Sequence, residues 1–283
     1  MKERILKMVK SLYTGASAMI ALQESMNSIS QNLSNVNTDG YKRETAVMKA
    51  FPEMLSRRIN DDGQVKFPLG SFDKAPIAGK IGTGVEYNES YIRFEQGSLS
   101  QTEGQFDFAL EGDGFFSIET PNGIRYARNG KFTISGDGFV VDNNGNYLLG
   151  EEGRLQVARN NFKVDKEANI TINPTIPYDG FTTVIGNEWQ PEQSLGKLKI
   201  VDFKHSRYLV REGNHLYAES KFSGKAQDLE KPRVLQGFLE KSTVQPVDEM
   251  VRMIEVQRLY EANQKVIQTT DDLLSQAVNK VLK

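Results

Sequence analysis

Few residues of this 283-residue chain have the types and spacing from which a reactive or metal-binding site could be built. Its two histidines, His205 and His215, lie among segments with strand-like patterns. A zinc site takes three or four ligands, usually at tighter spacing than these two residues offer. The chain has no cysteine, which excludes disulfides, thiolate nucleophiles and cysteine-bound metals. We therefore expect no metal site.

Three short motifs match ligand or nucleophile patterns only in part. "DNNGN", residues 142–146, begins like a calcium loop, but its twelfth position is Gly153 instead of glutamate. "SLGK", residues 194–197, has the spacing of a serine–lysine pair but lies in a glycine-containing turn. "GTG", residues 82–84, lacks the third glycine and the following helix of a dinucleotide site. We expect a hairpin turn at the first motif, and neither catalysis, cofactor nor small-molecule substrate at any of them.

The charge balance and the apolar runs exclude two further classes of protein. The formal net charge is -2, with 35 basic and 37 acidic residues, whereas a nucleic-acid binder needs a basic excess or stripe. No stretch approaches the roughly 18 apolar residues of a transmembrane helix. The opening residues lack a clean apolar block before a cleavage site, so export, if it occurs, is expected without a cleaved signal peptide.

The first helical signal is a heptad pattern near the start of the chain. Its positions recur at alternating spacings of three and four residues, and all but Gly15 are apolar. This pattern is typical of helices that pair along their length. We call these residues the N-terminal seam: Leu12, Gly15, Met19, Leu22, Met26, Ile29, Leu33 and Val36.

A second pattern with the same spacing ends the chain, and it predicts a helix from Pro246 to Val281. We call it the C-terminal seam: Met253, Val256, Tyr260, Asn263, Ile267, Thr270, Leu274, Ala277 and Val281. Five apolar residues widen its face, and we call them the apolar flank: Met250, Ile254, Leu259, Val266 and Leu273. The two helices could pair as a hairpin within one chain. Because pairing would leave the outer flanks exposed, self-assembly is an equally good interpretation, and both can hold.

The residue pattern in the middle of the chain predicts antiparallel β structure. Short runs of strand residues alternate with glycine turns such as Asn122-Gly123, Asn129-Gly130 and Asn144-Gly145. The predicted fold class is α+β, mainly β, with long N- and C-terminal helices pairing as a coiled-coil-like bundle and with a central antiparallel β domain. The expected domains are residues 8–45 with 240–283 for helical assembly, 46–90 as an extended connector, and 91–239 as the β-rich domain.

An asparagine-rich turn, "NLSNVNTDGYKRE" at residues 32–44, follows the N-terminal seam. Asn32, Asn35 and Asn37 can each donate and accept hydrogen bonds, which would satisfy carbonyls at the helix end or groups on a neighbour. Gly40 can take the left-handed conformation that turns the chain away from the helix. An ordinary helix cap explains Gly40 but not three asparagines.

This turn resembles the signature of bacterial flagellar basal-body rod and hook proteins. The pattern is Asn, an aliphatic, a small residue, Asn, two variable residues, Thr, any residue, Gly, an aromatic and a basic residue. It is filled by Asn32, Leu33, Ser34, Asn35, Thr38, Gly40, Tyr41 and Lys42. The opening "MVKSLYTGASAMIALQ" and the β segments "FALEGDGFFSI" and "RYARNGKFTISGDGFVV" also resemble that family. So does the closing "GFLEKSTVQPVDEMVRMIEVQRLYEANQKVIQTTDDLL". On this resemblance Met8 is the expected start and residues 1–7 an extension.

The resemblance implies a structural rod subunit, of the proximal or distal rod type, that is not an enzyme. Its terminal helices would self-assemble with copies of the chain and with other rod and hook proteins into an axial tube. Export would use the flagellum's own secretion apparatus, and the protein would lie in the basal body, where the rod crosses the periplasm. The expected subunit contacts are Leu12, Met19, Leu22, Met26, Ile29, Asn32, Leu33, Asn35, Val36, Thr38, Gly40, Tyr41, Met253, Val256, Tyr260, Asn263, Ile267 and Leu274. The alternative is a secreted oligomeric β-domain binding protein or adhesin.

Overall fold

The computed structural model describes residues 2–57, 65–67, 70–72, 77–157, 162–172, 193–213 and 215–281. It is a mixed α+β structure in which strands dominate and a long helix lies at each end of the chain. Helix α1 spans Lys2–Ser34 and helix α2 spans Pro246–Val281. The predicted fold class is confirmed, and α2 has the bounds that its heptad pattern predicts.

Helix α2 begins where the local chemistry favours a helix start. Pro246 occupies the first helical position, where its missing N–H costs nothing and its φ is already suitable. Asp248 and Glu249 lie in the first turn, where carboxylates interact favourably with the helix dipole. Over the described residues, neither helix is apolar enough along its length to cross a lipid bilayer.

The chain divides into two compact units. The helical unit comprises Met1–Gln31, Thr45–Ser90 and Asp248–Lys283, and the β unit comprises Asn32–Glu44 and Tyr91–Val247. The stretch expected as a connector, residues 46–90, therefore contributes strands to the helical unit, although its residues 58–64, 68–69 and 73–76 lie outside the described part. The domain boundaries drawn from the sequence stay a prediction.

In the described part of residues 44–92, six strands follow α1 and pair in twos. β1 pairs with β6, β2 with β5 and β3 with β4. The β2–β5 pair is antiparallel, with Met54 opposite Ile81. The bounds are β1 (Glu44–Ala50), β2 (Met54–Arg57), β3 (Val65–Phe67), β4 (Gly70–Phe72), β5 (Ile77–Ile81) and β6 (Val85–Ile92).

The strands of the β unit are short, as the spacing of its glycine turns predicts. Their bounds are β7 (Leu99–Gln101), β8 (Phe108–Leu110), β9 (Phe115–Thr120), β10 (Gly123–Ala127), β11 (Thr133–Ile134), β12 (Val140–Val141), β13 (Tyr147–Gly150), β14 (Gly153–Arg154), β15 (Phe162–Val164), β16 (Asn169–Ile172), β17 (Gln193–Lys197), β18 (Ile200–Asp202), β19 (Val210–Arg211), β20 (Leu216–Ala218), β21 (Gln227–Asp228), β22 (Val234–Gln236) and β23 (Phe238–Glu240). A 3-10 turn, Ser206–Tyr208, precedes β19.

Strand β9 is central to the main sheet. The sheet order is β11-β12-β13-β9-β10-β20-β19, and β18 joins it by pairing with both β9 and β21. Consecutive residues of β9 face opposite sides, as pleating requires. Phe116 and Ile118 pack in one apolar cluster with Leu148 and Ile200, whereas Phe115 packs in another with Tyr217. Both faces of β9 are thus buried.

The glycine turns follow the sequence prediction with one exception. Asn122-Gly123 joins β9 to β10 and Asn144-Gly145 lies between β12 and β13, with φ of 106° at Gly123 and 81° at Gly145. The hairpin turn expected at Asn129-Gly130 is wrong, because β10 pairs with β9 and β20 whereas β11 pairs with β12. A Cβ at Gly130 would lie 1.7 Å from the carbonyl oxygen of Phe108. Close backbone approach requires this glycine.

Candidate assembly site

The N-terminal seam from Leu12 to Leu33 lies along the partly covered face of α1, whereas Val36 lies beyond the end of the helix at Ser34. Gly15 and Ile29 are buried, and the remaining members are intermediate between buried and exposed. These intermediate members are Leu12, Met19, Leu22, Met26, Leu33 and Val36. The heptad pattern therefore identifies the helix face that the chain itself covers in part.

The two seams meet where the N-terminal seam has its smallest residue. A Cβ added at Gly15 would lie 3.1 Å from Cγ1 of Ile267, a C-terminal seam residue. That distance is closer than ordinary van der Waals contact, so α1 and α2 touch here only because residue 15 has no side chain. The pairing of the helices at this point explains why a glycine interrupts an apolar series.

The C-terminal seam is the most covered line of α2. Its members are partly buried at Met253, Val256, Tyr260, Asn263, Ile267 and Leu274, and Thr270 is buried. Its two polar members bond back to their own helix. Asn263 Nδ2 donates to the Leu259 carbonyl at 3.0 Å, and Thr270 Oγ1 donates to the Val266 carbonyl at 2.7 Å. Each of these two polar side chains therefore has a hydrogen-bond partner on its own helix, although it lies on a half-buried face.

The apolar flank of α2 is open to solvent. Met250, Ile254, Leu259, Val266 and Leu273 are between 46% and 54% exposed. Leu259, Val266 and Leu273 recur every seven residues, so they form a line along the helix beside the seam. On α1, Tyr13 and Ile20 also have the seven-residue spacing and are exposed. Both helices of the helical unit thus present apolar side chains to water.

A second covered line on α1 was missed in the sequence. It consists of small residues at the same alternating spacing as the seam, and Ala21 is completely buried. The spacing of small side chains was the available signal, although small residues carry little hydrophobic weight in a pattern search. The line contains Ala18, Ala21, Ser25 and Ser28.

The "GTG" motif, rejected as a dinucleotide site, packs against α1 instead. Thr14 Oγ1 donates to the carbonyl of Thr83 at 3.1 Å, and the N–H of Val85 donates to Ser17 Oγ at 3.4 Å. A Cβ at Gly84 would lie 2.6 Å from Ser17 Oγ. The glycine therefore allows the strand leading into β6 to lie directly on the helix.

The asparagine-rich turn is closed by the side chain of Asn32, at the start of the β unit. Asn32 Nδ2 donates to the Glu44 carbonyl at 2.8 Å, and Asn32 Oδ1 accepts from the Glu44 N–H at 2.9 Å. Tyr41 donates its hydroxyl to the same Oδ1 at 3.2 Å. One amide thus ties the end of α1 to the beginning of β1, twelve residues later.

Tyr41 is only 1% exposed and contacts two basic groups of the β unit. The guanidinium of Arg211 lies 4.8 Å from the centre of the Tyr41 ring and also bonds Glu44 Oε2 at 3.1 Å. The His215 ring meets the Tyr41 ring edge-on at 5.9 Å. Burial, and then the positive charge of Arg211, lower the pKa of His215, which favours its neutral form.

The basic residue of the signature, Lys42, belongs to a buried ion triad. Lys42 Nζ lies 2.6 Å from Glu240 Oε1, and Arg128 Nε lies 2.6 Å from Glu240 Oε2. The three side chains are at most 5% exposed. Burial lowers the pKa of Lys42, and the charge of Glu240 opposes that shift. We call these residues the Glu240 triad.

Backbone groups complete the triad. The Gly97 N–H donates to Glu240 Oε1 at 2.7 Å, and Lys42 Nζ also donates to the Glu95 carbonyl. Arg128 donates through Nη1 to the Gly114 carbonyl at 2.6 Å and through Nη2 to that of Gly112. The triad therefore joins the signature turn, the "GDG" turn before β9 and the end of β23 within the β unit.

The comparison with known proteins agrees with these elements along nearly the whole chain. Three family models match: "Flagella basal body rod protein" over residues 12–42, "Flagellar hook protein FlgE/F/G D1 domain" over 109–184, and "Flagellar basal body rod FlgEFG protein C-terminal" over 235–280. The rod protein FlgG of Buchnera aphidicola from Schizaphis graminum is 34% identical over 274 residues, covering 94% of this chain and 98% of that protein. This chain belongs to the flagellar basal-body rod protein family.

Other members of the flagellar rod family are similar over the same extent. FlgG of Borreliella burgdorferi is 32% identical over 285 residues, covering 96% of this chain and 98% of that protein. The "flagellar hook-basal body complex protein FlhO" of Bacillus subtilis is 31% identical over 293 residues, covering 98% of this chain and all of that protein. The resemblance recognised in the sequence is confirmed.

In this rod-family chain, the residues expected to make subunit contacts fall into two structural groups. The seam residues, apart from Val36 beyond the end of α1, lie on partly covered helix faces. Asn32, Gly40 and Tyr41 are buried, and Asn35 and Thr38 are partly buried and bonded to each other. That any of them contacts a neighbouring subunit stays a prediction. Each of the buried three has a hydrogen bond to a residue of the same β unit.

The partial calcium-loop and serine–lysine motifs form a turn and a strand of the β unit. Asp142 Oδ1 accepts from the N–H groups of Asn144 and Asn146, at 2.7 and 3.0 Å, so "DNNGN" forms a hydrogen-bonded hairpin turn. The turn expected at "SLGK" is wrong, because Ser194 and Lys197 lie in strand β17, which pairs with β16. Ser194 Oγ accepts from the Gly196 N–H at 3.4 Å. The described residues contain no group of three or more His, Asp or Glu side chains that could hold a metal.

Gly40 lies where the backbone leaves no room for a side chain. Its φ is 69°, the left-handed conformation expected from the sequence, and its N–H donates to the Glu240 carbonyl at 2.7 Å. A Cβ there would lie 2.6 Å from the backbone nitrogen of Asn129. We expect Gly40→Ala to destabilise the β unit by about 2–4 kcal/mol, since backbone strain adds to overpacking. Urea unfolding of the purified chain measures this, and Gly136→Ala, which meets no atom within 4 Å, is the control. Equal stability of both variants would contradict the prediction.

Proposed function

We propose that this chain is a structural subunit of the flagellar rod, which self-assembles through its terminal helices into the axial tube that transmits motor torque to the hook. The observation that carries the proposal is the exposed apolar flank of α2 beside a seam that is already partly covered. Large apolar strips on a water-exposed surface usually mark a partner surface. The flank is thus the surface that further helices would cover.

The helical geometry agrees with a tube. Helix α2 has 36 residues and is roughly 54 Å long at 1.5 Å per residue. Leu259, Val266 and Leu273 lie on one side of the seam and Met250 and Ile254 on the other, so a partner on the seam leaves the flank residues for different partners. A helix with exposed apolar residues on both sides of a partly covered seam suits an assembly in which each helix has several neighbours. Packed helices of this length would resist twisting of the tube.

The partners follow from this role. The subunit would contact copies of itself and other rod and hook proteins, and would reach its place through the flagellar export apparatus without a cleaved signal peptide. It would lie in the basal body, in the rod that crosses the periplasm. The role requires no cofactor, nucleic acid or small-molecule substrate, and no enzymatic activity. The names of the rod and hook-basal body relatives support this assignment.

The direct test is to locate the chain in purified basal bodies. Antibodies against the β unit are expected to label the rod, and deletion of the gene is expected to leave basal bodies without hooks and cells that do not swim. A strain carrying the wild-type gene on a plasmid is the control for loss of neighbouring genes. Normal rods in the deletion strain, with the protein secreted as a free oligomer, would contradict the proposal and favour the adhesin alternative.

A further inference from the structure

One aromatic side chain of the β unit is presented almost completely to solvent. Phe222 is 75% exposed and lies in the turn that follows β20. The ring of Tyr208, which is 45% exposed, lies 6.1 Å from the Phe222 ring, and the exposed Val210 belongs to the adjoining strand β19. We call the side chain of Phe222 with its turn, residues 220–224, the Phe222 knob.

The turn that holds the knob is closed by serine hydrogen bonds. Ser220 Oγ accepts from the N–H groups of Phe222 and Ser223, at 3.2 and 3.1 Å. In return, Ser223 Oγ accepts from the Ser220 N–H at 2.9 Å, and Ser223 is completely buried. Such a turn orders the backbone that carries Phe222 before any partner arrives, which lowers the entropic cost of binding.

The surface around the knob carries basic residues. Lys204, Arg207, Lys221 and Lys225 are all exposed. The carboxylate of Glu219 is held within the unit, because its Oε1 accepts from the Tyr126 hydroxyl at 2.7 Å and from the Ala226 N–H at 3.1 Å. A partner of the knob should therefore combine an apolar pocket with acidic groups at its rim.

The same β unit contains a pocket of that kind. Its volume is about 330 Å³, and its apolar lining is Leu198, Ile200, Leu229 and Pro232. Glu151, Asp228 and Glu230 also line it, against two lysines, Lys197 and Lys199. We call it the ribbon pocket. Its acidic groups outnumber its basic ones, so it complements the knob in charge as well as in apolar character.

The knob and the ribbon pocket lie at opposite ends of one β ribbon. Strands β18 and β21 pair with Val201 opposite Asp228 and Asp202 opposite Gln227. At one end, the N–H of Leu229 donates to the Ile200 carbonyl, and both residues line the pocket. At the other end, the N–H of His205 donates to the carbonyl of Ser223, next to the knob. The knob of one copy therefore cannot enter the ribbon pocket of the same copy, but it could enter the pocket of a second copy placed in line with the first.

We propose that the Phe222 knob of one copy inserts into the ribbon pocket of the next copy, which makes a second subunit contact outside the terminal helices. The proposal rests on the proposed function. Joining two different surfaces is a heterologous contact, and repeated copies then form an open helical assembly instead of a closed dimer. An aromatic anchor in an apolar pocket is also the usual form of an energetically dominant contact.

Cross-linking tests the contact, because the chain has no cysteine of its own. The reporter is the double variant Lys221→Cys with Glu230→Cys, which keeps Phe222. Basal bodies from cells that produce only this variant are treated with a short bis-maleimide and analysed by denaturing electrophoresis. The expected result is a ladder of covalent multimers. Each single variant should give no ladder, and cells that produce both single variants should give dimers.

Two further variants test whether the knob is the anchor. Adding Phe222→Ser to the reporter should reduce the ladder at least tenfold, while the melting temperature of the purified chain stays unchanged because Phe222 is exposed. Lys221→Cys with Asn144→Cys, at the exposed tip of another hairpin, should give no ladder.

The outcomes separate the two proposals. If immunoblotting finds the reporter chain in the basal bodies but no ladder forms, the knob contact is overturned. The knob contact is also overturned if the ladder persists with Phe222→Ser or appears with Asn144→Cys. Absence of the wild-type chain from basal bodies overturns the proposed function instead.

Discussion

Replacing Glu240 by alanine is expected to destabilise the β unit by about 3–5 kcal/mol, because it leaves two buried cations without their shared carboxylate. Lys42 and Arg128 both lie 2.6 Å from Glu240 and are at most 5% exposed. Their other observed hydrogen-bond partners are backbone carbonyls, which carry no net charge to balance two buried cations. Since a domain is typically stable by about 5–15 kcal/mol, this single change removes a large part of the total.

Urea unfolding of the purified chain, followed by the β-sheet circular-dichroism signal, measures this loss. The matched control is Glu111→Ala, because Glu111 and Arg233 are 3.8 Å apart with half or more of each side chain exposed. Such a pair contributes about 0–1 kcal/mol. Glu240→Gln should be intermediate, since the amide oxygen can still accept from the Gly97 N–H. If Glu240→Ala and Glu111→Ala unfold at the same urea concentration, the triad does not stabilise the unit.

The helices could be predicted from the sequence because their signals are local and periodic. In α2, the residues that are partly or fully buried between Met253 and Leu274 are the seam positions, and the flank between them is exposed. A period of three and four residues needs only the geometry of the helix itself. The contact of Gly15 with Ile267 was not predictable in detail, since the register between two helices depends on their packing.

The Glu240 triad could not be predicted because its members are far apart in the chain. Lys42 and Glu240 are separated by 198 residues, and Arg128 and Glu240 by 112. No periodic pattern connects three such positions, and each charged residue taken alone suggests an exposed side chain. The signature motif includes Lys42, but its spacing says nothing about the carboxylate that neutralises it.

The asparagine-rich turn could be predicted from the sequence only in part. The end of the helix and the left-handed Gly40 follow from residue type, and both are observed. The burial of Tyr41 does not follow, because it depends on Arg211 and His215, more than 160 residues later. The question posed by the asparagines has a partial answer. Asn32 bonds the backbone of Glu44, so at least one of them serves the fold of the single chain.

A carboxylate placed in a seam is expected to block assembly and leave the β unit folded. Ile29→Asp puts a charge at a position that is 7% exposed, and Leu274→Asp puts one on the partly buried face of α2. Burying an unpaired charge costs several kcal/mol, which is enough to abolish the pairing of helices that are marginal in isolation. The β unit keeps its own apolar core around Phe116 and Leu148, so its strands should persist.

Two measurements separate a block of assembly from unfolding. Cells that produce Ile29→Asp should make the protein at normal amounts but build neither rod beyond it nor hook, and should not swim. The purified variant should retain the β-sheet circular-dichroism signal. Gln23→Asp is the matched control, because Gln23 is exposed on the same helix and should tolerate the same charge. Normal swimming with Ile29→Asp shown to be in the rod contradicts the prediction. Loss of the β-sheet signal also contradicts it, since the terminal helices would then fold cooperatively with the β unit.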